Sequence, residues 1–252
     1  MIRVTLFSLM LTVLLVGSGC SGMRKTDASS VTKELSPGIM FLYSEAEESG
    51  EQPYPVRIFV NSEYMRINEN DSPNDFILFD RKAKVIYNVV SEGKTIFVID
   101  AKQGVKAKPP IAIDYKEEKQ ESSVLMKAKD GSQAYHYRFY ANGQVCYNVV
   151  AVKDYMPDAV QAYKEFREVL AGEHSKTIGS IPQEMQDPCD LALNVFEPTR
   201  HLQHGFPVRE WDGKGYQRFL VDVKQNITLP AEMFVLPKDY TRFSVEPAVK
   251  QQ

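Results

Sequence analysis

Four histidines and three cysteines are the residues of this 252-residue chain best suited to metal, acid–base or nucleophilic chemistry. His201 and His204 lie three apart, and Glu197 precedes His201 by four. On a continuous helix that spacing puts all three on one face, the donor set of a two-histidine, one-carboxylate metal centre. Pro198 falls inside the span and interrupts the helix it needs. The segment therefore reads as a solvated polar turn, and neither a metal nor a cofactor is assigned. His136 and His174 have no recognisable partner in the sequence. A Gly-x-Ser-x-Gly elbow for a nucleophilic serine is absent. Glu47-Glu48 and Glu117-Glu118 adjoin lysines or turns and read as solvated surface. Gly213-Lys214-Gly215 follows a strand without a helix behind it, which suits a hairpin turn and not a phosphate loop. No catalytic residue is assigned, and the chain reads as non-enzymatic.

The cysteines divide by context. Arg3, the apolar run from Leu6 to Val16 and the small residues Gly17-Ser18-Gly19 lead to Cys20. That run is too short to cross a bilayer comfortably, and its small-residue exit marks a processing site. The pattern resembles the bacterial lipoprotein signal. The resemblance implies that residues 1–19 are removed and that Cys20 is acylated, with palmitate among its chains, as residue one of the mature protein. It also implies, from Ser21 in place of an aspartate, transfer to the outer membrane facing the periplasm. With Cys20 set aside, Cys146 and Cys189 form an even pair in an oxidising compartment. They read as a structural disulfide, the alternative being two separate buried thiols. They are too far apart for a C-x-x-C redox motif and too few for a zinc site.

Composition narrows the partners. Hydrophobic residues make up 43% and charged ones 25%, as in a globular protein, with a net charge of −3. No basic patch is large enough to neutralise several phosphates, so nucleic acid is excluded as a partner. No second run of eighteen apolar residues follows Cys20.

The elements divide the chain into residues 20–37, a lipidated cysteine and polar tether, then one domain over 38–247 and a tail over 248–252. Strands are predicted at Ile39–Tyr43, Val56–Val60, Tyr64–Asn68, Phe76–Phe79, Lys84–Val90 and Thr95–Ile99. Their polar connectors are too short for βαβ crossovers, so they form an antiparallel meander with one face on a core and the other, carrying Arg57 and Arg66, in water. Further strands are predicted at Ile111–Tyr115, Ser123–Met126, Ala134–Tyr140 and Gln144–Val152, with Asn142-Gly143 a two-residue hairpin signal. The period then changes. Met156, Ala159, Val160, Tyr163, Phe166, Val169 and Leu170 recur at three and four residues, predicting an amphipathic helix capped by Asp154 and ended by Gly172. Asp187-Pro188 opens a shorter helix through Phe196. Arg200–His204 reads as its continuation or a separate turn. Strands return at Phe206–Trp211 and Tyr216–Lys224, with a last extended stretch at Phe243–Val245.

Two stretches carry a wider resemblance. One runs from Tyr64-Met65-Arg66-Ile67 through Phe76–Asp80 and Lys84–Val90 to Lys94-Thr95. The other joins Gly205–Arg209, the Gly213–Gly215 turn, Leu229-Pro230, Phe234, Pro237 and Tyr240. Together they resemble a bacterial envelope family of unknown function, itself similar to the lipoprotein-carrier (Lol-type) half-barrels. The resemblance implies an α+β fold: a curved antiparallel β-sheet, or half-barrel, with two helices covering its concave face and an apolar pocket able to take acyl chains. It supplies no catalytic residues.

Tyr135, Tyr137, Phe139, Tyr140 and Tyr147 cluster on two adjacent predicted strands, and Tyr163, Phe166 and Leu170 lie on the covering helix. These residues form either a filled aromatic core or an incompletely filled cavity. In the second case Phe139, Tyr140, Tyr163, Phe166 and Leu170 line an apolar pocket. The expected function is a non-enzymatic, lipid-anchored envelope protein that binds a lipid or lipoprotein acyl chain. The rival expectation is an adaptor that pairs with another envelope protein through a sheet edge or its convex face.

Overall fold

Alternating apolar and polar residues build most of this molecule, because successive side chains on a strand point to opposite faces. The computed structural model describes residues 35–69, 72–100, 108–120, 133–178 and 181–244, all within one compact unit, Lys33–Gln252. The early meander is β1 (Leu35–Ala46), β2 (Tyr54–Val60), β3 (Tyr64–Glu69), β4 (Phe76–Asp80), β5 (Val85–Val90) and β6 (Thr95–Asp100). β7 (Tyr115–Lys119), β8 (Ala134–Ala141) and β9 (Gln144–Val152) precede the helices. β10 (Phe206–Asp212), β11 (Gln217–Pro230) and β12 (Thr241–Phe243) follow them. The strands pair in the order β12-β6-β5-β4-β3-β2-β1-β11-β10-β9-β8-β7. They make one open, curved half-barrel, antiparallel except where β12 runs beside β6. β11 joins the two arms, pairing along β1 on one side and with β10 on the other.

Local chemistry sets the turns. Asn142 and Gly143 have φ of +49° and +79°, the mirror-image turn that suits a twisted hairpin between β8 and β9. The Asn61 side chain accepts from the backbone N–H groups of Glu63 and Tyr64, at 2.9 and 2.6 Å, to turn β2 into β3. Asp80 does the same for Lys82 and Ala83 between β4 and β5.

Helix α1 (Pro157–Ile178) overruns its predicted end by eight residues, and Gly172 lies inside it. The buried Ala171 and Ile178 continue the apolar face, which outweighs the roughly 1 kcal/mol that a mid-helix glycine costs. Asp154, predicted as the cap, instead takes φ of +58°, and the Met156 carbonyl accepts the first bonds, from Ala159 and Val160. Helix α2 (Pro188–Leu191) starts as predicted, with the Asp187 side chain accepting from Cys189 N and proline at the first position. A π-turn (Ala192–Phe196) extends it, and Arg200–His204 is a separate 3₁₀ turn. A disulfide between Cys146 and Cys189 fastens α2 to β9.

The sheet is packed on both faces. On the concave side Phe41, Tyr43, Ile58, Met65, Phe79 and Phe206 lie under Ala159, Tyr163, Phe166 and Val169 of α1. Each large side chain so buried contributes about 1.5–3 kcal/mol. Glu165 pins the helix from outside, 2.9 Å from Arg81 Nε. On the convex side Phe76, Leu78, Val89 and Ile96 meet Leu229 and Phe234, where the chain leaves β11 and crosses to β12. The predicted solvent face of the meander is therefore partly covered. Arg66 does not face open water: its guanidinium lies 3.7 Å from the Phe76 ring centroid and donates to the carbonyls of Met233 and Pro73.

Other boundaries also move. β1 begins at Leu35, inside the stretch read as tether. The strand predicted at Ile111–Tyr115 lies at Tyr115–Lys119, and β12 ends at Phe243, where the last extended stretch was predicted to begin. Cys20, the strand predicted at Ser123–Met126 and the tail lie outside the described residues.

Candidate functional site

α1 and the π-turn roof a partly open cavity of about 420 Å³ in the concave face. Its apolar wall comes from Val56 and Ile58 on β2, Ile67 on β3, Ile77 on β4, Phe166 and Leu170 on α1, and Leu193 on the π-turn. Its polar wall joins Glu45 and Glu69, at the ends of β1 and β3, to Tyr147, Glu210, Asp212, Tyr216 and Arg218 on β9, β10 and β11 or beside them. Tyr163, Arg167, Asn194 and His201 complete the lining from the helical layer.

The polar wall is ordered by cross-strand register. Glu45, Arg218 and Glu210 lie side by side on β1, β11 and β10. Arg218 bonds to Glu210 through Nε, and its guanidinium lies 4.7 Å from the Tyr43 ring centroid and 5.3 Å from that of Tyr163. The Tyr147 hydroxyl donates to Glu210 Oε1 at 3.0 Å. Burial opposes ionisation of Glu210, but the charge and hydrogen bond of the Arg218 guanidinium, together with the Tyr147 hydroxyl bond, hold the carboxyl below its usual range. His201 Nε2 lies 3.6 Å from Glu210 Oε1, yet burial pushes the ring's pKa down to about 3, so the imidazole is neutral. Burial raises Glu45, and the neighbouring Glu210, Glu69 and Glu47 add to it against the pull of Arg218. Glu69 is raised by burial and then by Glu47. Arg167 donates to the carbonyl of Leu193 at 2.8 Å and to Asn194 Oδ1 at 3.2 Å, which holds the π-turn against α1.

Of the five predicted pocket residues, Tyr163, Phe166 and Leu170 line this cavity. Phe139 and Tyr140 do not. They lie against Cys146, Ala192 and Arg200 around about 10 Å³ of free space, which is packed core. Glu197, His201 and His204 share no site: His201 faces Glu210, and His204 stacks on Tyr137 and meets Glu117 Oε1 at 2.6 Å. Among the described residues no group of three or more His, Cys, Asp or Glu side chains is placed to hold a metal ion. The turn at Arg200–His204 is only partly solvated, since His201 and Leu202 are buried while Gln203 is exposed. Glu45, Glu69, Glu210 and Arg218 were missed by sequence reasoning. A signal for three of them exists: Glu45, Glu69 and Arg218 continue an alternating inward row, in Phe41-Tyr43-Glu45, Met65-Ile67-Glu69 and Arg218-Leu220, whereas a register shift between Pro207 and Arg209 breaks the row that leads to Glu210.

No family model matches the chain, and no curated protein matches it. Among solved structures it is similar to an uncharacterized conserved protein from Thermus thermophilus, with 11% identity and a TM-score of 0.42 over 83% of this chain and 91% of that one. It is also similar to two structures of PNGF-II, in space groups C2 and P21, with 9% and 11% identity and TM-scores of 0.39 and 0.40. Each match covers 83% of this chain, but the chain spans only about a third of the PNGF-II length.

Proposed function

We propose that this is a non-enzymatic, lipid-anchored outer-membrane protein that binds a hydrophobic ligand, a lipid or a lipoprotein acyl chain, between α1 and the concave sheet. The observation that carries the reading is the partly open cavity of about 420 Å³, with a continuous apolar wall from β2, β3, β4 and α1. Its size falls within the range of small-molecule sites, roughly 300–1,000 Å³. The signal-like leader ending at Cys20 supports the anchor, and no helix among the described residues is long and apolar enough to cross a membrane. The test is uptake of a fluorescent fatty acid, together with native mass spectrometry of gently extracted protein. Ile67→Trp, which fills the cavity, is expected to abolish uptake; absence of both co-purified lipid and uptake in the wild type would end the reading. For the anchor, Cys20→Ala is expected to release the protein from membranes and leave it unprocessed.

A second reading, an adaptor for another envelope protein, is favoured by one observation. Phe219 and Val221 on β11 are about half exposed, at 47% and 54%. In-cell cross-linking at Phe219 separates the two: a stoichiometric partner supports the adaptor, and only transient ones support the carrier.

A further inference from the structure

The charges around the cavity do not balance. Four carboxylates, Glu45, Glu69, Glu210 and Asp212, face two guanidiniums, Arg167 and Arg218. Glu210 is matched by Arg218. Asp212 is spent on its own turn, accepting from the N–H groups of Lys214, Gly215 and Tyr216. Arg167 is held by neutral oxygens on Leu193, Asn194 and Pro198. Glu45 and Glu69 remain, with no side-chain hydrogen bond or ion pair among the described residues; Glu69 is solvent-exposed, and Glu45 is partly exposed beside Arg218.

One further group of the cavity wall is unpartnered. His201 Nδ1 has no hydrogen-bond partner among the described residues, although the side chain is more than nine-tenths buried. A buried polar atom left unpaired costs about 1–3 kcal/mol, so such atoms usually signal a missing partner. Nε2 of the neutral His201 ring lies 3.6 Å from Glu210 Oε1; in the tautomer with the proton on Nε2, the side nearer that carboxylate, Nδ1 is an acceptor and calls for a donor. The rings of Tyr147 and Tyr216 stand on the polar wall and that of Tyr163 lines the cavity from α1, and tyrosine π-faces attract cations.

We infer that the ligand of this cavity carries an ammonium group, seated between Glu45 and Glu69 beside the tyrosine rings, with its hydrocarbon chain along Val56, Ile58, Ile67, Ile77, Phe166 and Leu170. The inference rests on the cavity being the binding site proposed above, and it narrows the ligand to an amine-bearing amphiphile. An anionic head would meet two unmatched carboxylates and supply no donor to His201.

The test compares three twelve-carbon probes, dodecylamine, dodecanol and dodecanoate, by calorimetric titration below their micelle-forming concentrations. Dodecylamine is expected to bind at least about tenfold tighter than dodecanol, and dodecanoate weakest. In Glu45→Gln/Glu69→Gln the amine's advantage over dodecanol is expected to vanish while dodecanol affinity stays unchanged, which also reports an intact cavity. Equal or tighter binding of dodecanoate, or an amine preference that survives the double substitution, would overturn the ammonium site and leave the apolar pocket standing. Binding of none of the three would overturn both readings.

Discussion

Stability between pH 7 and pH 5 tests the buried polar wall through His201. Burial lowers this imidazole from an ordinary value of 6.5 to about 3, against the favourable field of Glu210 and with the repulsion of Arg167 and Arg218. In the unfolded chain the ring takes a proton below pH 6.5; in the folded protein it does not until about pH 3. The unfolded state therefore gains as pH falls, and the stability present above 6.5 is lost on the way down. Each pH unit in that window costs about 1.4 kcal/mol, so the 1.5 units from 6.5 to 5 remove about 2 kcal/mol. Other groups titrate nearby. His136 is lowered by burial and acts in the same direction. Glu45 and Glu69 are raised, so they add stability as pH falls. Glu210, held low, loses its contribution only below its ordinary carboxyl range. Comparing wild type with His201→Gln cancels all of these. Urea unfolding at pH 7, 6 and 5 is expected to show the wild type losing about 2 kcal/mol more than the variant between pH 7 and 5. Parallel pH profiles would refute a neutral, desolvated His201 and, with it, the claim that Nδ1 lacks a partner.

Three further outcomes follow from the same geometry. Glu210→Met strands a buried guanidinium and is expected to cost about 3–5 kcal/mol, whereas Glu210→Met with Arg218→Met costs far less than the two singles combined; a double-mutant cycle measures a coupling of about 2 kcal/mol or more, and additivity would refute the pair. Reducing Cys146–Cys189, 43 residues apart, is expected to remove about 4 kcal/mol in urea unfolding, and thiol blocking before reduction should label neither cysteine. Gly205→Ala puts a methyl 2.2 Å from the Val152 carbonyl oxygen at φ of +117° and is expected to lose more than about 2 kcal/mol of thermal stability, against about 1 for Gly50→Ala, which has open space around it at φ of +90°.

Where a signal was local, the chain could be read directly. Asn142-Gly143 specifies its own hairpin, and Asp187-Pro188 starts α2 through a cap that needs only two residues. The three-and-four spacing of Tyr163, Phe166 and Leu170 put them on the covering face of α1, where they line the cavity. Phe139 and Tyr140 were misassigned because, as successive residues of β8, alternation places them on opposite faces, and neither the irregularity between them nor the position of the roof can be read from it. The disulfide draws α2 onto β8 and β9 at that point, so the gap there is filled. The covering of the convex face was equally invisible. It depends on residues after β11 reaching back to β6, a contact across about 145 positions of sequence, as between Lys94 and Asp239. Arg66, alternating with apolar neighbours, therefore resembled a solvent-facing residue while it stacks on Phe76.

The cavity and its charges are best understood together. A wall of only Val56, Ile58, Ile67, Ile77, Phe166 and Leu170 would gain by letting α1 settle onto the sheet, since each square ångström of apolar surface removed from water contributes about 25 cal/mol. Settling would also strip water from Glu45 and Glu69, whose raised pKa values show that desolvation already disfavours their charge. Neither has a cation to follow it inward, because Arg218 is committed to Glu210. The inward register that carries these carboxylates at the ends of β1 and β3 thus opposes closure at one end of the site, while the disulfide and the Arg167 contacts hold α2 and the π-turn in place at its rim. On this reasoning Glu45→Leu/Glu69→Leu, which unlike the glutamine pair leaves no polar group to desolvate, is expected to shrink the cavity and raise thermal stability while lowering uptake of every twelve-carbon probe, charged or neutral. An unchanged dodecanol affinity in that variant would show that the carboxylates do not hold the space open.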